Sequence, residues 1–313
     1  MSRAASHGHD PSALLAGVAA FVTWGIVPAY WKLIKVVPAG QILAHRFVWT
    51  IVFLVLLMSW RATWPELTAT FRNRRAALFC LGSGIFLSAN WLLFIWAVNV
   101  DRVLETSLGY FMTPIVNVAL GALILREHLT RAQLASIVLA AAGVAIRTIG
   151  YGHFPLIALM ICLTFGLYGL LRKQSHTAPV PGLFLETTFL LPVAIAYLAW
   201  EMHRGALVFG SAQPFASAVL LTSGVVTAVP LIWFGHAARH LPLVTLGFLQ
   251  YLSPSLSFLL GVFVYREPFT TPHLLGFLLI WIALAIVSTE AMLRRHFENR
   301  SDSEPAPLIE PGM

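Results

Sequence analysis

Long runs of apolar residues recur along the whole chain, separated by short polar stretches. The apolar positions are continuous and do not alternate with polar ones, so they predict helices and exclude the strands of a membrane barrel. Runs of about 18–23 residues are long enough for a helix to cross a hydrocarbon core about 30 Å thick. Because a backbone in lipid must satisfy its own hydrogen bonds, the pattern predicts an all-α integral membrane protein.

The pattern predicts ten transmembrane helices. They are expected at residues 13–34, 40–60, 76–98, 103–125 and 132–149, and then at 154–171, 183–201, 215–236, 243–265 and 272–292. The loops are short, which leaves no room for a separate soluble catalytic domain. We expect residues 1–12 to be a disordered lead and not a signal peptide, and residues 294–313 to be a disordered tail.

One stretch of the chain occurs twice. The segment around Pro114 matches the segment around Pro254, which lies 140 residues later, and the Arg126-Glu127 pair matches Arg266-Glu267. The two repeats are predicted at 13–149 and 150–293. Since each holds five helices, an odd number, they should cross the membrane in opposite directions. Inverted repeats are typical of secondary transporters, in which one cavity opens alternately to the two sides.

Composition and charge agree with a membrane protein. The chain is 58% hydrophobic and 11% charged, whereas soluble domains have roughly 25% charged residues. With both termini cytoplasmic, thirteen Lys and Arg residues fall on the inner side and six on the outer side, as the positive-inside rule requires. The net charge of +7 is therefore interpreted as a topology signal, and no nucleic-acid partner is predicted.

Cofactor and catalytic motifs are missing from the sequence. There is no GxxxxGK, HExxH or GxSxG pattern, so we predict no nucleotide, metal or nucleophile site. Cys80 and Cys162 both lie within apolar runs, which argues against a disulfide framework or a metal cluster. No cofactor and no enzymatic activity are expected.

Each copy of the repeated segment places a proline near the centre of its span. Pro114 and Pro254 cannot donate to the carbonyl four residues earlier, and the nearby Gly109 and Gly247 loosen the same helices. We interpret these four residues as candidate hinges that bend as the gates alternate. A static kink, filled by a neighbour or by water, is the other interpretation that the sequence leaves open.

Ionisable residues lie inside two spans. His45 and Arg46 are in the second span, and Glu186 is at the matching depth of the seventh, where the repeat pairs it with His45. Such residues are costly in a membrane and mark functional sites. His45 and Glu186 are candidates for carrying a coupled proton. The alternatives are that Arg46 reaches to the headgroups and that Glu186 is hydrogen-bonded to a backbone group.

Aromatic and amide side chains are predicted to line a substrate cavity. These candidates are Asn90, Trp91, Tyr110, Gln250 and Tyr251. Asn99 and Asn117 are interpreted as interhelical contacts, and the Arg-Glu pairs of the repeat as loop organisers. Thr130 and Gln133 match a capping box for the fifth span, and Thr271-Pro272 matches a helix start.

Several motifs are specific to one family. They are Trp24-Gly-Ile-Val-Pro28, Ile42-Leu-Ala-His-Arg46, Asn90-Trp-Leu-Leu-Phe-Ile-Trp-Ala-Val-Asn99, Gly166-Leu-Tyr-Gly-Leu-Leu-Arg-Lys173, Leu183-Phe-Leu-Glu186, Thr245-Leu-Gly-Phe-Leu-Gln250 and Arg266-Glu-Pro-Phe269. With these motifs the chain resembles the RarD-type proteins of the EamA family, in the drug/metabolite transporter (DMT) superfamily. The resemblance covers residues 13–292. It departs from the family at Phe94, where a tyrosine is usual, and at Ser88-Ala89.

The resemblance implies a bacterial inner-membrane exporter or permease, built from two inverted five-helix repeats. Its partners would be small organic solutes such as amino acids, metabolites or drugs, the lipid bilayer, and protons or another coupling ion. Two other classes remain open at this point. One is a non-transporting membrane receptor or assembly factor, and the other is a membrane-embedded lipid-modifying enzyme.

Overall fold

The computed structural model describes residues 11–99, 103–149, 156–211 and 213–264, together with 278–279, 281–283, 285–286 and 289–290. The elements formed by these residues are helices: α1 (Pro11–Lys32), α2 (Ala39–Arg61), α3 (Trp64–Arg72), α4 (Arg74–Asn99), α5 (Val103–Leu123), α6 (Arg131–Ile149), α7 (Leu156–Ser175), α8 (Pro179–Thr188), α9 (Leu191–His203), α10 (Pro214–His240), α11 (Leu243–Gln250) and α12 (Leu252–Leu259). A π-helical turn, Leu260–Val264, follows α12.

Five of the described helices are long and apolar enough to cross a membrane, namely α1, α2, α4, α7 and α10. A sixth span is obtained if α8 and α9, bent by 51°, are counted together. The described apolar parts of α5, α6 and the α11–α12 pair are shorter, at 108–123, 131–146 and 243–256. The predicted tenth span lies mostly outside the described residues. The chain is thus an all-helical, multi-pass membrane protein.

The seventh predicted span is not one straight helix. Pro192 occupies the first turn of α9, where its missing N–H leaves the carbonyl of Thr188 without a helical donor. Just before the break, the hydroxyls of Thr187 and Thr188 donate to the carbonyls of Leu183 and Phe184, at 2.8 Å and 2.7 Å. The bend therefore follows from a proline that hydropathy alone does not register.

The polar stretch between the second and third predicted spans also differs from expectation, because it folds as the nine-residue helix α3. Pro65 lies in its first turn and Glu66 close to its positive N-terminal end, which both favour a helix start. Trp64 and Phe71 remain exposed. Exposed aromatic residues on a short helix beside a span are typical of the membrane interface.

The core that positions the remaining helices is formed by α1, α7 and α10. Tyr168 of α7 stacks on Phe234 of α10, with ring centroids 5.5 Å apart and planes 20° apart. Phe21 and Trp24 of α1 and Phe165 of α7 pack around them in edge-on or tilted contacts. These aromatic contacts fix α1 and α10 against α7, and α2 in turn packs on α10.

Candidate functional site

Arg46 on α2 is surrounded by side chains from four other helices. Its Nε donates to Thr227 Oγ1 of α10 at 3.0 Å. Its guanidinium carbon lies 5.2 Å from the ring centroid of Trp31 on α1 and 4.5 Å from that of Trp91 on α4. It also interacts electrostatically with Tyr110 of α5. Arg46 therefore lies among the helices of the bundle.

A close contact between α2 and α10 brings Arg46 and Thr227 together. A Cβ added to Gly224 would overlap with the backbone of Trp49, so only a glycine permits the two helices to approach this closely at that level. The hydroxyl of Thr50 donates to the Gly224 carbonyl at 3.4 Å. One turn away from this contact on each helix, Thr227 of α10 meets Arg46 of α2, since residues three or four apart share a helix face.

Tyr110 and Asn90 connect this arrangement to α7. The amide nitrogen of Asn90 donates to the Ile161 carbonyl at 2.9 Å and to Thr164 Oγ1 at 3.1 Å, and its amide oxygen accepts from the Tyr110 hydroxyl at 3.4 Å. Asn90 is completely buried, so its hydrogen-bonding groups are used within the protein. It orients Tyr110, and a direct role in binding a solute stays a prediction.

Arg46, Trp31, Trp91 and Tyr110 are only partly buried. Because their neighbours belong to α1, α2, α4, α5 and α10, we interpret the surface that they leave open as facing the inside of the bundle. We call the space bounded by these four side chains and Thr227 the central space. It combines aromatic walls with a few hydrogen-bonding groups, which is the usual composition of a small-molecule site.

His45 neighbours Arg46 in sequence but has a different environment. Its Nδ1 accepts a hydrogen bond from Trp49 Nε1 at 3.2 Å, and its ring lies 4.9 Å from that of Phe209 in the loop between α9 and α10. Its Nε2 is buried, with no hydrogen-bond partner among the described residues. His45 is thus covered by a loop, and its predicted role in proton coupling is left as a proposal.

Glu186 is part of a buried ion pair near the end of α7. Its Oε1 lies 3.3 Å from Arg172 Nη1 and accepts from the Ser83 hydroxyl at 2.7 Å. Arg172 also donates to Thr177 Oγ1 at 2.9 Å and to the Pro179 carbonyl at 2.9 Å. The partners of Glu186 are therefore side chains, not the backbone group considered from the sequence. The pair links α4, α7 and α8, away from the central space.

Gln250 and Tyr251 are not part of the central space. The amide nitrogen of Asn117 donates to Gln250 Oε1 at 2.7 Å, which makes both residues an interhelical contact between α5 and α11. Tyr251 is buried with Leu108 and Phe111 in a separate apolar cluster. The structure thus unites three of the five predicted cavity residues, Asn90, Trp91 and Tyr110.

The two repeated prolines have different surroundings. Helix α5 continues through Pro114, whereas the ninth span has a one-residue irregularity at Tyr251, which keeps helical backbone angles, and Pro254 lies in the first turn of α12. A Cβ on Gly247 would lie 2.9 Å from the Pro114 carbonyl, and one on Gly109 would lie 2.8 Å from the carbonyl of Ala158. Both glycines therefore permit close helix packing, and their role as hinges stays a prediction.

The loop-organising interpretation is confirmed for Glu127. Its two oxygens accept from the backbone N–H groups of Leu243 and Val244, at 2.8 Å and 2.9 Å, and so cap the start of α11. The capping box is also confirmed, with Thr130 N to Gln133 Oε1 at 3.0 Å and Gln133 N to Thr130 Oγ1 at 3.1 Å. The predictions for Arg266-Glu267 and Thr271-Pro272, and for the Asn99 side chain, lie outside what is described.

Trp31 and Thr227 were missed as site residues. Trp31 lies next to Lys32, where an aromatic residue is normally assigned to the membrane interface. Thr227 has no sequence signal, because threonine hydroxyls in helices usually bond to their own backbone. Thr227 is identified only by the packing of α10 on α2, which places its hydroxyl beside Arg46.

Comparison with known proteins gives the family. The model of the EamA-like transporter family matches residues 11–149. The chain is 41% identical to Protein RarD of Escherichia coli over 279 residues, which cover 89% of this chain and 94% of that protein. It is 39% identical to YojE of Bacillus subtilis, an uncharacterized transporter, over 284 residues, which cover 90% of this chain and 94% of that protein.

A solved crystal structure supports the fold alone. It covers 90% of this chain and 99% of its own, with a TM-score of 0.68 at 17% sequence identity. Taken with the relatives of about 40% identity over nearly their full length, these comparisons show that the chain is a bacterial RarD-type protein and belongs to the EamA-like transporter family.

Proposed function

We propose that the protein is a secondary transporter that moves small organic solutes across the bacterial inner membrane by alternating access. The observation that carries this proposal is the central space, where Arg46, Trp91 and Tyr110 retain open surface inside a bundle of apolar helices. Family membership supports the same function. The sequence has no nucleotide-binding motif, so a solute or ion gradient would supply the driving force.

The alternating mechanism rests on two inverted five-helix repeats, with both termini cytoplasmic. The duplication around Pro114 and Pro254 and the distribution of Lys and Arg support this arrangement. In this arrangement, two sets of contacts would keep the inner side closed. Glu127 caps the start of α11, and Lys173 lies 3.9 Å from Glu127 and donates to the Leu241 carbonyl. These contacts join the α5–α6 loop, the end of α7 and the start of α11, which would separate when the inner side opens.

The proposed site uses the predicted residues unequally. Arg46, Trp91 and Tyr110 would contact the solute, and Asn90 would position Tyr110. Gln250 and Tyr251 would pack the ninth span against α5, and Glu186 would hold the end of α7. His45, next to Arg46 and beneath Phe209, would be the candidate proton carrier.

Transport in proteoliposomes tests this function. Vesicles containing the purified protein are loaded with amino acids, aromatic drugs or organic acids, and exchange of labelled solute is measured with and without a pH gradient. We expect exchange of at least one class. Trp91→Ala should slow it about tenfold, because a cation–π contact of roughly 1–2 kcal/mol and a cavity wall are lost.

Trp60→Ala is the matched control, because Trp60 is 80% exposed and does not line the central space; it should leave exchange unchanged. Specific binding with no exchange of any solute would instead favour a receptor. Chemically altered lipid in the same vesicles would favour the enzyme.

A further inference from the structure

We propose that the solute carries a single carboxylate, which binds the terminal amino groups of Arg46 between Trp31 and Trp91. The proposal rests on the transport function above and assigns it a substrate class, namely organic monoanions with an apolar or aromatic body. Neutral analogues and zwitterions of the same shape should bind less well.

Within the described residues, Arg46 lacks the counter-ion that two other basic side chains of the helices have. Arg172 has Glu186 at 3.3 Å and Lys173 has Glu127 at 3.9 Å. Arg46 has no carboxylate partner in the described part of the chain; its contacts are a hydroxyl and two tryptophan rings, and Tyr110 interacts with it electrostatically. A cation enclosed by protein without a counter-ion is costly, so the central space should favour a ligand that supplies a negative charge.

The donors of Arg46 that bind no acceptor in the described helices and loops are its terminal amino groups. Nε is used by Thr227 at 3.0 Å, and Trp31 and Trp91 contact the guanidinium within 5.2 Å and 4.5 Å of their ring centroids. The terminal amino groups of Arg46 bind no acceptor among the described residues, yet they are not fully buried. They therefore open to the central space, where they form the planar fork that binds a carboxylate through two hydrogen bonds.

The residues that bound the central space include one cationic side chain and no carboxylate. Arg46 is the only cationic side chain among the residues that bound it, which suits one negative charge better than the two of a phosphate monoester. None of these residues carries a carboxylate, so the ammonium of an amino acid would find no partner of opposite charge. Trp31, Trp91 and Tyr110 would cover the apolar body of the solute.

Binding of matched probes tests the proposal. The affinity of the purified protein is measured by calorimetry at neutral pH for four carboxylates: propanoate, 3-phenylpropanoate, benzoate and indole-3-acetate. The corresponding primary amides and the zwitterion phenylalanine are measured in parallel. We expect at least one carboxylate to bind about tenfold or more tightly than its amide, because hydrogen bonds to a charged group are roughly twice as strong as neutral ones.

Arg46→Gln should remove this difference, with a loss of about 10–100-fold in carboxylate affinity and little change for the amide. Arg204→Gln is the matched control: Arg204 also lies over a tryptophan, Trp200, at 4.5 Å, but on the protein surface, and the preference should persist. If Arg46→Gln does not fold, Thr227→Val keeps the charge and removes only the bond to Nε; it should weaken carboxylate binding several-fold.

Amides that bind as tightly as every carboxylate, or a carboxylate preference that survives Arg46→Gln, would overturn the proposal. A parallel exchange assay distinguishes failure of the transport function from failure of the carboxylate site. Exchange of neutral solutes that is insensitive to Arg46→Gln leaves a transporter with another substrate class. Carboxylate binding that depends on Arg46, without any exchange, leaves the site but removes transport.

Discussion

Three basic side chains in the described spans differ in the partners that the fold gives them. Arg172 is paired with Glu186 and hydrogen-bonded to the following loop. Lys173 reaches Glu127 and the Leu241 carbonyl. Arg46 has hydroxyl and aromatic neighbours and open donors. The first two arrangements hold loops and helix ends together, whereas the third leaves a charge available to a ligand.

Glu186→Gln tests the structural role of the buried pair. The amide keeps the shape of the side chain but leaves Arg172, which is 3% exposed, without a counter-charge. Breaking a buried pair in this way costs about 3–5 kcal/mol, so we expect a markedly lower melting temperature in detergent. The pH dependence of any exchange activity should stay as in the unmodified protein.

Replacing both partners, as in Arg172→Met with Glu186→Met, should recover part of the lost stability, since no lone charge remains buried. If Glu186→Gln leaves the melting temperature unchanged and abolishes the effect of a pH gradient, Glu186 is the proton carrier after all.

At the scale of helices, the fourth and ninth spans meet at their irregular points. Gly247 packs on the Pro114 carbonyl, and Asn117 binds Gln250 at 2.7 Å one turn away. The two repeated prolines differ in their helices, because α5 is continuous at Pro114 while the ninth span has a one-residue irregularity at Tyr251, three residues before Pro254.

Pro254→Ala and Pro114→Ala compare the two candidate hinges. Alanine restores the missing N–H and favours a straight helix, so Pro254→Ala should remove the irregularity at Tyr251 and slow exchange several-fold at unchanged protein level. Pro114→Ala, in a helix that is already continuous, should have a smaller effect. Initial exchange rates in proteoliposomes measure both, and equal, unaltered rates would identify the prolines as static kinks.

At the scale of the whole molecule, the duplication and the short loops favour two repeats of opposite orientation around the central space. The residues on its walls come from both proposed repeats, since Arg46, Trp91 and Tyr110 precede residue 150 and Thr227 follows it. A small movement of one repeat against the other would therefore change the site itself, which suits a transporter that must bind on one side and release on the other.

Cysteine labelling tests the inversion. Cys80 and Cys162 are free and buried, so they should react slowly with a membrane-impermeant maleimide and give a low background. We expect Arg266→Cys to react in intact spheroplasts and Arg126→Cys to react only after permeabilisation. Reaction of both from the same side would show parallel repeats and remove the basis for alternating access around a pseudo-two-fold axis.

The helical membrane class, the family and the capping box of Thr130 and Gln133 could all be predicted from the amino-acid sequence. These features depend on hydrophobicity, length and residues close together in the chain, and so can be read without a structure. The same reasoning could name Arg46 and Glu186 as costly residues within spans, because that cost depends only on depth in the membrane.

Which of these residues face one another depends on how the helices pack. Arg46 lies between aromatic rings and keeps open donors, whereas Glu186 is buried and paired with Arg172. Nothing in the sequence spacing distinguishes these two environments. Trp31 and Thr227 enter the site because α1 and α10 pack beside α2, and Gln250 leaves it because α11 turns towards Asn117. The physical reason is that the partners of a side chain depend on the rotation and packing of helices far apart in the chain.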